Sequence, residues 1–312
     1  MNIYLSEYIA PSARRRIEAK CAIVDTFDHP EQLDGIIVRR AEVTGDILRR
    51  ASKLRVVSMH GVGLDHIDVN AAKQLGIPVT NVPGQSAQSV AELAVSMMLA
   101  LSRKLKYINS CVEAGKLTSF GETQTIGHEI WGKRIALVGS GHIAQRVATI
   151  MRLAFGCTIL CYNPHKSARE LADLGMTKID TLDDLLAASD VVSVHVPLNH
   201  ETEGMIGQRA LAHAKPGLLL VNTARGGIVD EQALYHALCE GRIAGAACDV
   251  FTDGIPDPET PLLHLPNFIS TLHIGGSTEE ALERVGNKAV DNLFAGLAGR
   301  LTDADCVWGR AE

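Results

Sequence analysis

The sequence predicts an α/β protein of two doubly wound units, each a parallel sheet covered by helices. Three observations predict it. The 312 residues suffice for about two domains of ordinary size. Short apolar or β-branched runs alternate with helical patterns along nearly the whole chain. That alternation is interrupted once, by a long helical pattern, and then resumes.

In the first unit the strand-like runs are NIYL, CAIVDTF, GIIVRR, LRVVSM and PVTNV, with helical stretches such as TGDILRRAS and DVNAAKQLG between them. Runs apolar on both faces suit strands of a sheet covered on both sides. The long pattern predicts a single helix from Ser86 to Lys106, with Ala87, Val90, Ala91, Ala94, Val95, Met98 and Leu101 as its apolar stripe. That stripe suits either a partner subunit or the chain's own core. The second unit has strands RIALVGS, TILCYN, DVVSVHV, GLLLVNT, IAGAACDVF and NFISTLH. Ser277, Thr278, Glu279 and Glu280 suit a helix N-terminus, and the segment they open is long enough to leave the second unit and pack elsewhere.

Composition removes several classes of function. With 30 basic against 36 acidic residues the net charge is −6, and no basic run offers a footprint for nucleic acid. The apolar run Leu93–Leu101 is far shorter than the roughly 20 residues that span a bilayer, so no membrane partner is expected. The N-terminus shows no basic segment followed by an apolar one, and no secretory signal is expected. The seven cysteines are scattered, odd in number and never spaced C-x-x-C, as in a cytoplasmic protein. Cys157 and Cys161 lack two further ligands at zinc spacing, so no metal is expected.

Gly139-Ser140-Gly141-His142-Ile143-Ala144 lies directly after RIALV and before the helical pattern AQRVATIMRLAFG. In that setting Gly139 permits a tight turn, Gly141 lets backbone approach a pyrophosphate, and the small Ala144 lets helix pack on strand. The free N–H groups of the helix start then face the phosphates, which predicts a dinucleotide site. Asn163 ends the next strand, where a carboxylate would accept the ribose hydroxyls and repel a 2′-phosphate. A neutral amide followed by His165 and Lys166 admits NAD or NADP; those two residues suit a solvated loop equally well.

Two further strand ends carry chemistry. Arg225, in Asn222-Thr223-Ala224-Arg225-Gly226-Gly227, offers a permanently charged planar fork for a carboxylate or an activated carbonyl. A surface ion pair is its plainer role, against which the glycine pair argues for close backbone approach. His273, in Thr271-Leu272-His273-Ile274-Gly275-Gly276, is suited to proton transfer near neutrality, and the glycines and new helix start after it suit a crevice wall.

Taken in order, HGVGLDHIDVNAAKQLGIPVTNVPG, SVAELAVSMMLALSR, LVGSGHIAQRVA, NTARGGIVDEQAL, ACDVF and LHIGGST carry a resemblance that extends over nearly the whole chain. The chain resembles the D-isomer-specific 2-hydroxyacid dehydrogenases, the family of phosphoglycerate, glycerate and hydroxypyruvate dehydrogenases. The resemblance implies two Rossmann-like units, a discontinuous substrate-binding one (1–99 with 285–312) and a dinucleotide-binding one (100–284). It implies hydride transfer between nicotinamide and C2 of a small 2-hydroxy or 2-keto acid. Arg225 would orient the substrate's carboxylate and keto oxygen, and His273 would give or take the hydroxyl proton. Backbone N–H groups around Gly61, Val62 and Gly63 would hold the carboxylate, and Asp249 and Gly275 would lie near the carboxamide. The expected cofactor set is Gly139, Gly141, His142, Ile143, Asn163, Val196, Pro197, Thr202, Thr223, Ala224, Asp249, His273 and Gly275. His60 could turn a partial positive charge toward a second anionic group, or simply cap a strand end.

The sequence departs from the family in one serious respect. The family carries a Glu five residues past the Asp of ACDVF, beside the catalytic His; here that position is Gly254, with Asp253 the nearest acid. Losing a neighbouring carboxylate removes a contribution that raises an imidazole pKa. Leu272 stands where Pro is usual and Gln145 where Arg is frequent. The short stretch after the last helix suggests a form without regulatory domains. A homodimer is expected, as in relatives. The alternative is a dinucleotide-sensing interaction module with little turnover, as in the C-terminal-binding-protein corepressors, which share this scaffold. A formate-dehydrogenase-like reading would need a Gln near Gly254, and none is there.

Overall fold

The computed structural model describes residues 1–117 and 121–308. In chain order the elements are β1 (Asn2–Tyr4), α1 (Pro11–Glu18), β2 (Ala22–Val24), β3 (Gly35–Val38), α2 (Gly45–Arg50), β4 (Val57–Met59), α3 (Val69–Gln74) and β5 (Val79–Thr80). Next are α4 (Ala87–Ser102), α5 (Leu105–Glu113), β6 (Arg134–Val138), α6 (His142–Phe155), β7 (Thr158–Tyr162), α7 (Ala168–Asp173), β8 (Thr177–Lys178), α8 (Leu182–Ala188) and β9 (Val191–Val194). The last are α9 (Gln208–Ala212), β10 (Leu219–Asn222), α10 (Glu231–Cys239), β11 (Gly245–Cys248), β12 (Phe268–Ser270) and α11 (Glu279–Leu297).

The chain divides into two compact units, Met1–Ser86 with Gly276–Glu312, and Ala87–Gly275. These boundaries fall earlier than the 99/100 and 284/285 read from the sequence, because each long helix belongs whole to one unit. Ala91, Ala94 and Met98 of α4 share a core with Ile135 and Leu137 of β6, and Val290 and Leu293 of α11 share one with Ile3 and Ile37. Ser86 and Gly276, between which the second unit is inserted, are neighbours: a Cβ on Gly276 would lie 3.5 Å from that of Ser86.

The first unit holds a five-stranded sheet of order β2-β1-β3-β4-β5, and every pairing is parallel. Three of its four α-helices among the described residues start where side chains supply the missing acceptors, and α1 starts without such a cap. Thr44, Asp68 and Thr278 accept from the N–H groups of Ile47, Ala71 and Ala281; such caps are worth about 1 kcal/mol each. Alternate strand residues enter two cores, Ile36, Val38 and Met59 on one face, Ile3, Ile37 and Val56 on the other.

The second unit holds a seven-stranded parallel sheet of order β12-β11-β10-β9-β6-β7-β8. Ala136 and Val138 face one core and Ile135 and Leu137 the other, the pattern of a sheet covered on both faces. Order reverses between β6 and β9, and in such sheets ligands bind outside the carboxyl ends at that reversal. β8 was not foreseen; it is a two-residue edge strand without an apolar run to announce it.

The helix expected from Ser86 to Lys106 ends at Ser102 instead. His128 donates its N–H to the Ser102 carbonyl at 2.8 Å, an acceptor that a continuing helix would need, and Lys104 turns left-handed (φ +54) before α5 starts. The apolar stripe is buried in the unit's own core.

Candidate active site

The register of the second sheet gathers the candidate residues. Tyr162, Val138, Val194, Asn222, Cys248 and Ser270 pair side by side in one row across six strands. The residue after each opens a carboxyl-end loop: Asn163, Gly139, His195, Thr223, Asp249 and Thr271. Arg225 and His273 each follow two residues behind a member of this edge.

Gly139 stands at φ +97, and a Cβ there would lie 2.7 Å from the His195 carbonyl oxygen and 2.9 Å from Val196 Cγ1. Both conformation and space restrict the position to glycine. Gly141 caps α6, whose start has no side-chain cap, and nothing lies within 4 Å of where its Cβ would be. The 14-residue helix thus begins with the amides of His142 and Ile143 facing open space, as a phosphate requires. Ala144 is wholly buried against β6, so helix and strand approach closely. The residues present therefore fit a dinucleotide. Among the described residues no group of three His, Cys, Asp or Glu could hold a metal ion.

Asn163 ties this turn to the end of β7. Its amide donates to Ser140 Oγ at 2.9 Å, and its oxygen accepts from the His165 N–H at 3.0 Å. The positive charge nearby is partly matched: Lys166 lies 3.5 Å from Glu170 and His165 lies 3.9 Å from Glu201. Pro197 and Thr202 close a tight loop after β9, in which the Thr202 hydroxyl donates to the Pro197 carbonyl at 2.6 Å. The Thr223 hydroxyl is buried and has no partner among the described residues.

Arg225 is half-buried on a turn fixed from beneath. The buried Asn222 accepts from the Ala224 N–H at 3.0 Å and donates to the Arg225 carbonyl at 2.9 Å, while Arg225 Nη1 donates to the Ala224 carbonyl at 2.7 Å. Behind it, a Cβ on Gly226 would overlap the carbonyl group of Phe251, so the two loops touch backbone to backbone and no side chain is accommodated. Glu231 secures the other side by accepting from the N–H and hydroxyl of Thr252.

Asp249 is 1 % exposed, and its oxygens serve the His273 loop. Oδ1 accepts from Thr271 Oγ1 (2.5 Å) and the Ile274 N–H (2.8 Å), Oδ2 from the Gly275 N–H (2.8 Å), and the Asp249 carbonyl from the His273 N–H (2.6 Å). His273 is exposed and stands at φ +52. Gly254 adopts φ +80, so a longer residue there would be strained, and Asp253 beside it is exposed.

In the first unit, His60 directly follows β4 and is followed by Gly61, Val62 and Gly63. The carbonyls of Gly61 and Val62 accept from the Val82 N–H and the Asn81 side chain, both at 2.9 Å. His60 itself is 4 % exposed, and neither ring nitrogen has a partner among the described residues. Burial, with Arg39 nearby, pushes its pKa down to about 4, so the ring is neutral at pH 7. Arg39, directly after β3, donates to Ser277 Oγ at 2.9 Å. His195, which no sequence motif singles out, has ring nitrogens that are inaccessible and without a partner among the described residues; burial pushes its pKa down to about 3.

Residues 95–275 match the family described as D-isomer specific 2-hydroxyacid dehydrogenase, NAD binding domain. The chain is 42% identical over 269 residues to hydroxypyruvate reductase of Thermotoga maritima, covering 85% of each. The chain belongs to the D-isomer specific 2-hydroxyacid dehydrogenases. These are NAD-dependent oxidoreductases of 2-hydroxy acids. It is 40% identical over 282 residues to D-3-phosphoglycerate dehydrogenase of Mycobacterium tuberculosis, covering 89% of this chain but 52% of that one, so it spans about half the length of that relative. Among solved structures, D-lactate dehydrogenase of Aquifex aeolicus, complexed with NAD and lactic acid, superposes with a TM-score of 0.85 at 29% identity over the full length of both chains. No helix among the described residues is long and apolar enough to cross a membrane.

Proposed function

We propose that this dehydrogenase reduces a small 2-keto acid of the hydroxypyruvate or phosphohydroxypyruvate type, or oxidises the matching 2-hydroxy acid, with Arg225 and His273 as its catalytic residues. The observation that carries this is the single carboxyl edge on which the phosphate turn, the Arg225 turn and the Asp249-held His273 loop all open. NAD(H), when bound, supplies or accepts the hydride. The amides of His142 and Ile143, with Gly139 and Gly141, would hold its pyrophosphate, and Asn163 would serve its ribose; the remaining contacts are those expected at Val196, Pro197, Thr202, Thr223, Ala224, Asp249 and Gly275. Arg225 pairs with the substrate's carboxylate and stabilises charge growing on the keto oxygen. His273 gives that oxygen its proton during reduction and takes it back during oxidation. Gly61, Val62 and Gly63 offer their amides to the carboxylate; among the described residues none accepts from those amides.

The test is spectrophotometric: the protein is mixed with NADH or NADPH and with hydroxypyruvate, glyoxylate or phosphohydroxypyruvate, and loss of the reduced nicotinamide band is followed. Turnover of at least one keto acid is expected, whereas cofactor binding without oxidation across the set would favour an interaction module. NADPH is proposed as an accepted second cofactor, because Asn163 carries no charge to repel its phosphate. Asn163→Asp should lower the NADPH-to-NADH ratio of kcat/KM by about tenfold or more. The fold should tolerate this change, since the Ser140 hydroxyl can reverse its role and donate to a carboxylate. An unchanged ratio would remove Asn163 from cofactor choice.

A homodimer is proposed as well. Its support is the set of exposed apolar side chains in the second unit, Leu105, Val112, Ile126, Trp131 and Leu153, together with the relatives' habit of pairing through this unit. The scattered cysteines support a cytoplasmic setting.

A further inference from the structure

His273 is one of two non-glycine residues at positive φ among the described residues. A left-handed backbone at such a residue persists only where its surroundings fix it. Asp249 fixes the amide side of the loop, through the N–H groups of Ile274 and Gly275 and through its own carbonyl to the His273 N–H. The carbonyl side is fixed by a residue from a distant part of the sequence. Ser89, in the first turn of α4 and 5 % exposed, donates its hydroxyl to the Gly275 carbonyl at 2.6 Å. The backbone at Gly275 is thereby held through both of its polar groups. Its Cα also rests on Val90, whose methyl groups lie 3.3 and 3.4 Å from where a Cβ would be.

We propose that Ser89 is a positioning residue for His273: its hydroxyl, opposed by Asp249, clamps Gly275 so that the histidine keeps its left-handed backbone and its imidazole stays aimed. This rests on the reading of His273 as the group that moves the proton. Without the Ser89 hydroxyl the buried Gly275 carbonyl loses its acceptor role, and glycine is the residue whose torsions give most easily. The loop then relaxes, His273 returns toward negative φ, and the ring shifts. Misplacement of this kind lowers the rate of the chemical step while leaving binding nearly intact.

Ser89→Ala removes one oxygen from a helical position that alanine suits, so the variant folds. With the best keto acid, kcat is expected to fall about tenfold while KM for keto acid and NADH stays within about twofold. Ser89→Cys, a weaker donor of nearly the same shape, should lie between the two. In a crystal structure of Ser89→Ala, residue 273 should leave the region near φ +52. Wild-type kcat in Ser89→Ala, equal losses in kcat and in binding, or an unmoved His273 in the variant crystal would each overturn the clamp. If the unaltered protein turns over no keto acid, the functional reading fails on its own. The variant crystal still decides the clamp, supported if residue 273 leaves the left-handed region and refuted if it stays.

Discussion

Arg225→Ala is expected to lose about 10³-fold in kcat/KM for keto-acid reduction, near 4 kcal/mol of transition-state stabilisation. The size follows from what the side chain would supply: a charge-assisted, two-pronged contact to a carboxylate that strengthens as the keto oxygen gathers charge. Structural damage should be small, because the turn is held by Asn222 through backbone groups of Ala224 and Arg225 that the substitution leaves in place. Arg225→Lys keeps the charge and loses the fork, so it should recover only part of the loss. Steady-state kinetics with a melting curve for each variant makes the comparison. Activity of Arg225→Ala within about threefold of wild type would take the guanidinium out of the reaction.

The second large effect concerns acid. His60 is buried and His195 half-buried, the ring nitrogens of both are inaccessible and have no partner among the described residues, and burial pushes their pKa values down to about 4 and about 3. An unfolded histidine titrates near 6.5, so between 6.5 and the folded value the unfolded chain binds a proton that the native one refuses. Stability is therefore level above about pH 6.5 and falls as the pH drops toward 4. By linkage each ring costs about 2 kcal/mol at pH 5. Urea unfolding at pH 7.5 and pH 5 measures the loss, and His60→Gln and His195→Gln should each flatten its own share. A stability that does not change over this range, or a slope unaltered in both variants, would mean that the rings find partners or solvent in the native state.

Much of this was legible beforehand because it depends on local chemistry. Apolar runs on both faces of each strand announced two covered parallel sheets, and the phosphate turn needed only Gly139, Gly141, Ala144 and their neighbours. Arg225 and His273 were visible as chemistry-bearing residues at strand ends, followed by glycines. What stayed hidden depends on contacts between distant segments. The end of α4 at Ser102 is imposed by His128, some two dozen residues later, and periodicity within the helix carries no sign of it. The neutrality of His60 is a burial effect, which the residues beside it in the sequence do not reveal. Asp249 was read as a cofactor contact, and its work of holding Thr271, Ile274 and Gly275 emerges only when two loops are brought together.

The adjacency of Ser86 and Gly276 has a bearing on how such a chain can be built. A segment that leaves a fold and re-enters it at almost the same spot imposes little closure entropy on its host once the segment has itself folded with its two ends together, since the host's broken ends are then near one another. The five-stranded sheet can thus accept α11 from the far end of the polypeptide as readily as from a neighbouring hairpin. Lengthening or trimming the inserted unit leaves that assembly step unchanged.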